Sequence, residues 1–328
     1  MDEPIRSFST VTVFGGMTLD RIARSQHPPV MGASNPGTVR RLPGGVGFNV
    51  AMVLARLGFP TRMVSAVGDD SDAEAILAAA EEIGVDTRGV AIVHRASTAG
   101  YHATFDDSGN LIVGIADMKV CDAITPAAVS GAAAAAPSGD LWLLDANLPQ
   151  PTIEFLAAEA AVARRPLAAL TVSPAKGVRL LSVLDTIAVL FTNRKEAAAL
   201  LDHDPDDAKL ASAALALELT GARSMAIVVT SGSEPLAAAR RGEVRSYAPL
   251  RAEVAGVNGA GDSLAAGTIL GLSEGLGLGD AVRFGMAAAA MTLEAGGILA
   301  APFSRDALAE RLTAGPRTQS RPVAAAAP

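Results

Sequence analysis

The chain is short of several things that would point elsewhere. Its 328 residues include one cysteine, Cys121, so neither a disulfide framework nor a thiolate metal cluster is available. Aromatic residues are only 4%, too few for interleaved base-stacking platforms. Positive charge is lacking too: the net charge is −7 and no long basic run occurs, which argues against nucleic acid as a partner. No apolar stretch reaches the roughly 20 residues that span a bilayer, so no membrane partner is expected. The N-terminus has no basic segment followed by an apolar run, so no signal peptide is expected and the reading is cytoplasmic. The histidines (His27, His94, His102, His203) are scattered without ligand spacing.

What is present is alanine, glycine and an alternation of short β-branched runs with helical stretches. Strands are expected over 10–14, 63–67, 141–145, 167–172, 186–191 and 224–230, each followed by a helical pattern, with helices over 49–57 and 73–83. Continuous apolar strands alternating with helices predict an α/β fold with a mostly parallel sheet covered on both faces. Ligands collect at the carboxyl ends of such strands. Two segments, 18–44 and 95–118, break the rhythm; the second holds two alternating runs around D-D-S-G-N, a hairpin signal. Together they predict a small β-sheet lid. Residues 316–328 are low in complexity and are expected to be a disordered tail, leaving 1–315 as one domain.

Five short stretches carry candidate chemistry, and each has a plain alternative. In V-N-G-A-G-D-S-L-A-A-G, at 257–267, glycines lead into a helix beside Asp262. The free amides of such a turn suit a phosphate or oxyanion, and Asp262 would sit beside them as a base; a capped turn is the alternative. In G-G-V-G-F-N, at 44–49, glycine lets backbone approach a ligand and Asn49 offers an amide for sugar hydroxyls; or Asn49 is an N-cap. Asp20 follows the first strand, as either a ligand for vicinal hydroxyls or a surface acid. Asn193 and Glu196 in N-R-K-E lie at i and i+3, suited to the water shell of Mg²⁺; they are also the signature of a capping box. Lys176, Thr230 and Gly232 follow strands and are site groups or ordinary turn residues. There is no G-x-x-x-x-G-K-[ST] and no complete G-x-G-x-x-G, which excludes a Walker-type NTPase and weakens a dinucleotide fold.

In their order along the chain, Asp20, G-G-V-G-F-N, N-R-K-E and G-A-G-D resemble the ribokinase-like (PfkB) carbohydrate kinases over residues 10–300. A narrower likeness to pseudouridine kinases rests on S-N-P-G at 34–37, A-D-M at 116–118, L-D-A-N-L at 144–148, and Val172-Ser173 with Lys176. The resemblance implies a three-layer α/β/α sandwich with a lid and ATP-dependent phosphorylation of a primary hydroxyl, with pseudouridine as the leading acceptor. It implies Asp262 as base and the amides of Gly259, Ala260 and Gly261 as anion hole. Asp20, Gly44, Gly45 and Asn49 would hold a ribose, with Ser34, Asn35, Asp117 and Lys176 facing the rest of the acceptor. Thr230, Gly232, Asn193 and Asn258 would lie on the ATP side, and Asn193 and Glu196 would organise Mg²⁺ through water. A free-sugar kinase and a non-catalytic sensor are the rival readings, and a homodimer through the lid is a further implication. Where many relatives carry D-T-x before G-A-G-D, this chain has Gly256, Val257 and Asn258, so the resemblance lends no support to a monovalent-cation site.

Overall fold

A computed structural model describes residues 7–207, 210–221, 223 and 225–313, and the backbone of 321–322. In chain order the first half comprises β1 (Thr10–Phe14), β2 (Thr18–Ser25), β3 (Gly37–Gly44), α1 (Val46–Arg56), β4 (Thr61–Gly68), α2 (Ser71–Ile83), β5 (Asp86–Val93), β6 (Gly100–Phe105), β7 (Leu111–Asp117), α3 (Pro126–Ala134), β8 (Asp140–Asp145) and α4 (Gln150–Val162). The second half continues with β9 (Leu167–Leu170), α5 (Pro174–Gly177), β10 (Val189–Asn193), α6 (Arg194–Leu200), α7 (Ser212–Thr220), β11 (Ala226–Ser231), β12 (Glu234–Arg240) and β13 (Glu243–Tyr247). It ends with α8 (Ala260–Ser273), α9 (Leu278–Ala295), α10 (Arg305–Thr313) and β14 (Arg321–Pro322).

Among the described residues the main sheet has ten strands in the order β14-β13-β12-β11-β10-β9-β8-β1-β4-β5. From β5 to β11 every neighbour is parallel; β11 to β14 are antiparallel. Side chains alternate across a strand, and that alternation sorts the core into two layers. Val11, Val13, Leu141 and Leu143 face one side with Phe48, Met52, Ile269 and Met286 of α1, α8 and α9. Phe14, Trp142 and Leu144 face the other with Val129, Ile153, Leu156 and Leu215 of α3, α4 and α7. The result is the expected helix–sheet–helix sandwich.

The lid is a separate four-stranded sheet, β3-β2-β6-β7. Its 106–110 turn closes as the D-D-S-G-N signal predicts: Asp106 N–H donates to Asn110 O (2.9 Å), and Gly109 has φ +90°. Arg21 of β2 and Arg41 of β3 both pair with Asp72 at the start of α2, each at 2.6 Å, joining lid to body.

Several expectations need correction. Helix α1 begins at Val46 rather than 49, so Asn49 lies within it and is not its N-cap. Strand β9 stops at Leu170, because Val172 takes φ +66° and turns the chain aside. Strand β10 starts at 189, after a 3₁₀ stretch over Val178–Thr186. No helix follows β11: the alanine-rich E-P-L-A-A-A-R forms β12, joined through a turn at Gly232 (φ +58°) and followed by a two-residue hairpin at Arg241-Gly242. Alanine favours helix intrinsically, but here the hairpin turns and a buried position between β11 and β13 decide the outcome. Within the stretch expected to be a disordered tail, Arg321–Pro322 pairs with β13; the remainder lies outside the described residues. No described helix is long and apolar enough to cross a membrane.

Candidate active site

The carboxyl ends of β1, β8, β9, β10 and β11 meet the N-termini of α1 and α8, and most of the predicted site residues collect there. Helix α8 starts at Gly259, whose φ of +78° is a left-handed geometry that glycine adopts without strain. A Cβ at that position would lie 2.5 Å from Ile298 Cδ1, a second reason for glycine. The first intrahelical bond is Ser263 N–H to Gly259 O (2.9 Å). The amides ahead of it, at Gly261 and Asp262, thus belong to the open first turn of the helix. This turn is a ready anion site.

Asp262 lines the pocket at this turn, together with Val46, Thr171, Val172, Thr192, Asn193, Glu196, Thr230 and Gly261. Asn49 reaches across from α1 and donates its Nδ2–H to Asp262 Oδ2 at 2.7 Å. Burial pushes the Asp262 carboxyl up to about 7; the bond from Asn49 opposes that rise, while the charges of Asp145 and Glu196 add to it. As a residue Asp262 is only partly buried, at the wall of that pocket. A carboxylate titrating near neutrality and oriented by one amide is suited to general-base work.

Asn193 and Glu196 form the capping box that their spacing predicts. Glu196 N–H donates to Asn193 Oδ1 (3.0 Å) and Asn193 N–H to Glu196 Oε2 (3.2 Å). Glu196 also accepts from the Thr171 hydroxyl, which bonds Thr192 Oγ1 at 3.0 Å. The box and the pocket are therefore the same residues. The pocket's polar lining is all hydroxyl, amide and carboxylate oxygen chemistry, and no described cluster of three or more His, Cys, Asp or Glu forms a metal cage. That donor set fits Mg²⁺, which takes oxygen ligands, keeps several waters and leans on substrate phosphates.

The other predicted residues divide into those brought to this centre and those that are not. Thr230 lines the pocket and pairs in register with Asn193. Gly232 sits in the exposed β11–β12 turn. Lys176 Nζ donates to Asn147 Oδ1 at 2.5 Å, beside the end of β8. Asp20, on β2 of the lid, accepts from Tyr101 N–H (3.2 Å), and burial raises its pKa. Gly44 packs against Asp20: a Cβ there would lie 2.6 Å from Asp20 Oδ2 and would displace that carboxylate. Gly45, with φ +103°, abuts the Gly16 carbonyl. Asn35 spends its amide inside its own exposed loop, on Val30 and Ala33, and neighbouring Ser34 is exposed. Asp117 is exposed at the end of β7 and accepts from Lys119 N–H. Asn258 is exposed, just before the α8 turn. The upstream departure at Gly256 has a packing reason: a Cβ would sit 2.9 Å from Gly296 O, where the chain hydrogen-bonds the end of α9 through Leu293 O.

Two features were not assigned from the sequence. Asp145 ends β8 fully buried; an acid closing the apolar run L-W-L-L-D is the signal that marks it. Val172 lines the pocket in a γ-turn, with Ser173 N–H donating to Thr171 O (2.7 Å) across its positive φ. A β-branched residue there costs on the order of 1–3 kcal/mol, a strain typical of functional sites. No sequence signal marks that turn.

Similarity to known proteins agrees with this geometry. The profile of the pfkB family carbohydrate kinases matches residues 9–302. The chain is 29% identical over 293 residues to the pseudouridine kinase of Escherichia coli, covering 88% of this chain and 92% of that one. The structure of a carbohydrate kinase from Agrobacterium tumefaciens superposes with a TM-score of 0.82 at 32% identity, covering 95% of this chain and all of the other. An Arabidopsis thaliana ribokinase complexed with ribose and ATP shares the fold, with a TM-score of 0.76 at 22% identity over 94% of this chain and 99% of that one. The three-layer sandwich with its β-lid is thus ribokinase-like, and the chain belongs to the PfkB family of carbohydrate kinases.

Proposed function

We propose that this kinase transfers the γ-phosphoryl group of ATP to the 5′-hydroxyl of a nucleoside, with pseudouridine as the preferred acceptor. The observation that carries the chemistry is Asp262, raised to about 7 and held by Asn49 at the open N-terminus of α8. The ionised carboxylate takes the proton of the primary hydroxyl as its oxygen bonds to the γ-phosphorus. The bond from phosphorus to the β,γ-bridging oxygen breaks and ADP leaves with that electron pair. The proton passes from Asp262 to solvent after transfer. Charge spread over the transferring group would meet the open amides of Gly261 and Asp262 and the positive end of α8, since of the expected anion-hole amides that of Ala260 donates to Val257 O (3.4 Å). Asn193 and Glu196 would hold Mg²⁺ through water beside Thr192 and Thr230; when bound, the ion neutralises phosphate charge.

Support for the acceptor is narrower. Pseudouridine kinase similarity and the Lys176–Asn147 pair beside the L-D-A-N-L turn favour a nucleoside. Asp20, in the lid, would take the vicinal ribose hydroxyls, and closure of the lid would exclude water. A coupled assay with ATP, Mg²⁺ and a panel of pseudouridine, uridine, ribose and fructose tests the assignment. The expected result is the highest kcat/KM for pseudouridine; a higher value for ribose replaces the acceptor and leaves the kinase chemistry standing.

A further inference from the structure

Asp145 has an environment that its place in the sheet does not require. It is fully buried, and its oxygens receive three backbone hydrogen bonds. Gly16 N–H and Gly47 N–H each donate to Oδ2 at 3.0 Å, and Asn147 N–H donates to Oδ1 at 2.9 Å. Those partners all donate and so favour the ionised carboxylate, against burial, which raises its pKa. The surrounding backbone is cleared for it: a Cβ at Gly15 would lie 2.4 Å from Oδ2 and one at Gly47 2.9 Å.

The bond to Gly47 matters because of what α1 lacks. Its N-cap is Gly45, which makes no side-chain capping bond, and its first turn holds no acid. Position 45 cannot carry the usual Ser, Thr, Asp or Asn, because φ is +103° and a Cβ would lie 2.4 Å from the Gly16 carbonyl oxygen. Asp145 therefore supplies the cap from another strand, accepting from the second residue of the helix and matching its positive end. Asn49 lies two residues further along the same turn, and its amide holds Asp262.

We propose that Asp145 is a positioning residue for phosphoryl transfer: by capping α1 in place of Gly45, it sets the direction from which Asn49 holds Asp262. This rests on the reading of Asp262 as the base. The route runs Asp145, Gly47, Asn49, Asp262, across three elements that have no covalent neighbour in common. A misplacement of the order of 1 Å along such a route lowers turnover by roughly 10²-fold.

A double-mutant cycle on kcat separates this role from general support of the fold. Asp145→Asn keeps the shape but cannot accept all three N–H bonds, and Asn49→Ala removes the amide on the base. Each is expected to lower kcat by about tenfold or more, and the double variant to fall within about threefold of the worse single one, since residues acting through one contact are not additive. The KM for ATP is expected to stay within about threefold, because its side of the pocket lies on β10 and β11. Losses that multiply, or an Asp145→Asn enzyme with kcat within about threefold of the parent, overturn the proposal. If circular dichroism shows that Asp145→Asn does not fold, Gly47→Ala takes its place in the cycle under the same criteria, because its Cβ displaces the carboxylate and retains the charge. Asp262→Asn is assayed alongside. If it is inactive while the other losses multiply, only the positioning role fails; if it turns over like the parent, the base assignment fails and this proposal with it.

Discussion

At Asp262, one carboxylate carries opposing demands of chemistry and stability. As the proposed base it must be ionised, so kcat is expected to fall as pH is lowered through about 7, where the carboxyl gains its proton. A pH–rate profile with an acid limb near the ordinary carboxylate value, 4, contradicts this. Asp262→Asn is expected to cut kcat by roughly 10²–10⁴-fold, the usual share of general-base catalysis, while equilibrium dialysis shows acceptor binding little changed. Stability runs the other way. A carboxyl with a folded pKa above its unfolded value destabilises the fold as pH rises from about 4 to about 7, and the loss persists above that range. Asp262→Asn is therefore expected to raise the thermal midpoint at pH 8 by about 1–2 °C, the shift for ~1 kcal/mol in a chain of 328 residues, and by nothing measurable at pH 4. Calorimetry at the two pH values checks the sign. G-A-G-D was legible as a loop with an acid beside free amides. That Asn49 holds Asp262 was not, because the two positions are 213 residues apart and the periodicity of either segment is silent about the other.

The two glycine turns at the start of α1 and α8 behave differently as elements. At α8 the sequence reading placed the helix start correctly, because Gly259 ends one segment and small apolar residues begin the next. At α1 the reading failed by three residues: G-G-V-G looks like a loop, yet Val46 and Gly47 are already helical. Glycine is a poor helix former by about 1 kcal/mol, and here the cost is offset by the carboxylate of Asp145 and by close contact with Val13, which a Cβ at Gly47 would crowd to 3.2 Å. Gly45→Ala is expected to destabilise the protein by about 2 kcal/mol or more, since it combines a positive φ with a clash against backbone. Chemical denaturation measures it; a loss below ~0.5 kcal/mol would show that the turn can relax. The same reasoning explains β12. Its alanines satisfy a helix as readily as a strand, and only the turns at Gly232 and Arg241-Gly242, with φ values of +58°, +52° and +76°, fold it back on β11.

For the whole molecule, the placement of the anion turn depends on how closely α8 packs on α9. A Cβ at Gly267 would lie 2.6 Å from Phe284 O, one at Gly271 2.7 Å from Ala281 Cα, and one at Gly285 2.3 Å from Leu264 O. Gly285→Val is expected to cost about 3 kcal/mol or more by forcing the helices apart, visible as a thermal midpoint lowered together with kcat. The lid is joined more loosely. Asp72 binds Arg21 and Arg41 with much of the arginine surface in water, and such pairs contribute about 1 kcal/mol or less. Asp72→Asn should therefore leave the melting temperature nearly unchanged while raising ATP hydrolysis relative to acceptor phosphorylation, as the lid loses one of its ties to α2; a ratio equal to the parent's excludes a role for the pair in closure. The sequence alone determined the fold class, the two-faced parallel core, the lid segments and the order of the four motifs, because these follow from hydrophobic period and local turn chemistry. Only the tertiary structure decided the start of α1, the strained turn at Val172 and the course of β12. It alone brought Asn49 to Asp262 and Asp145 to the start of α1. Each of these depends on contacts between segments far apart in the chain, where burial and steric exclusion outweigh local preference.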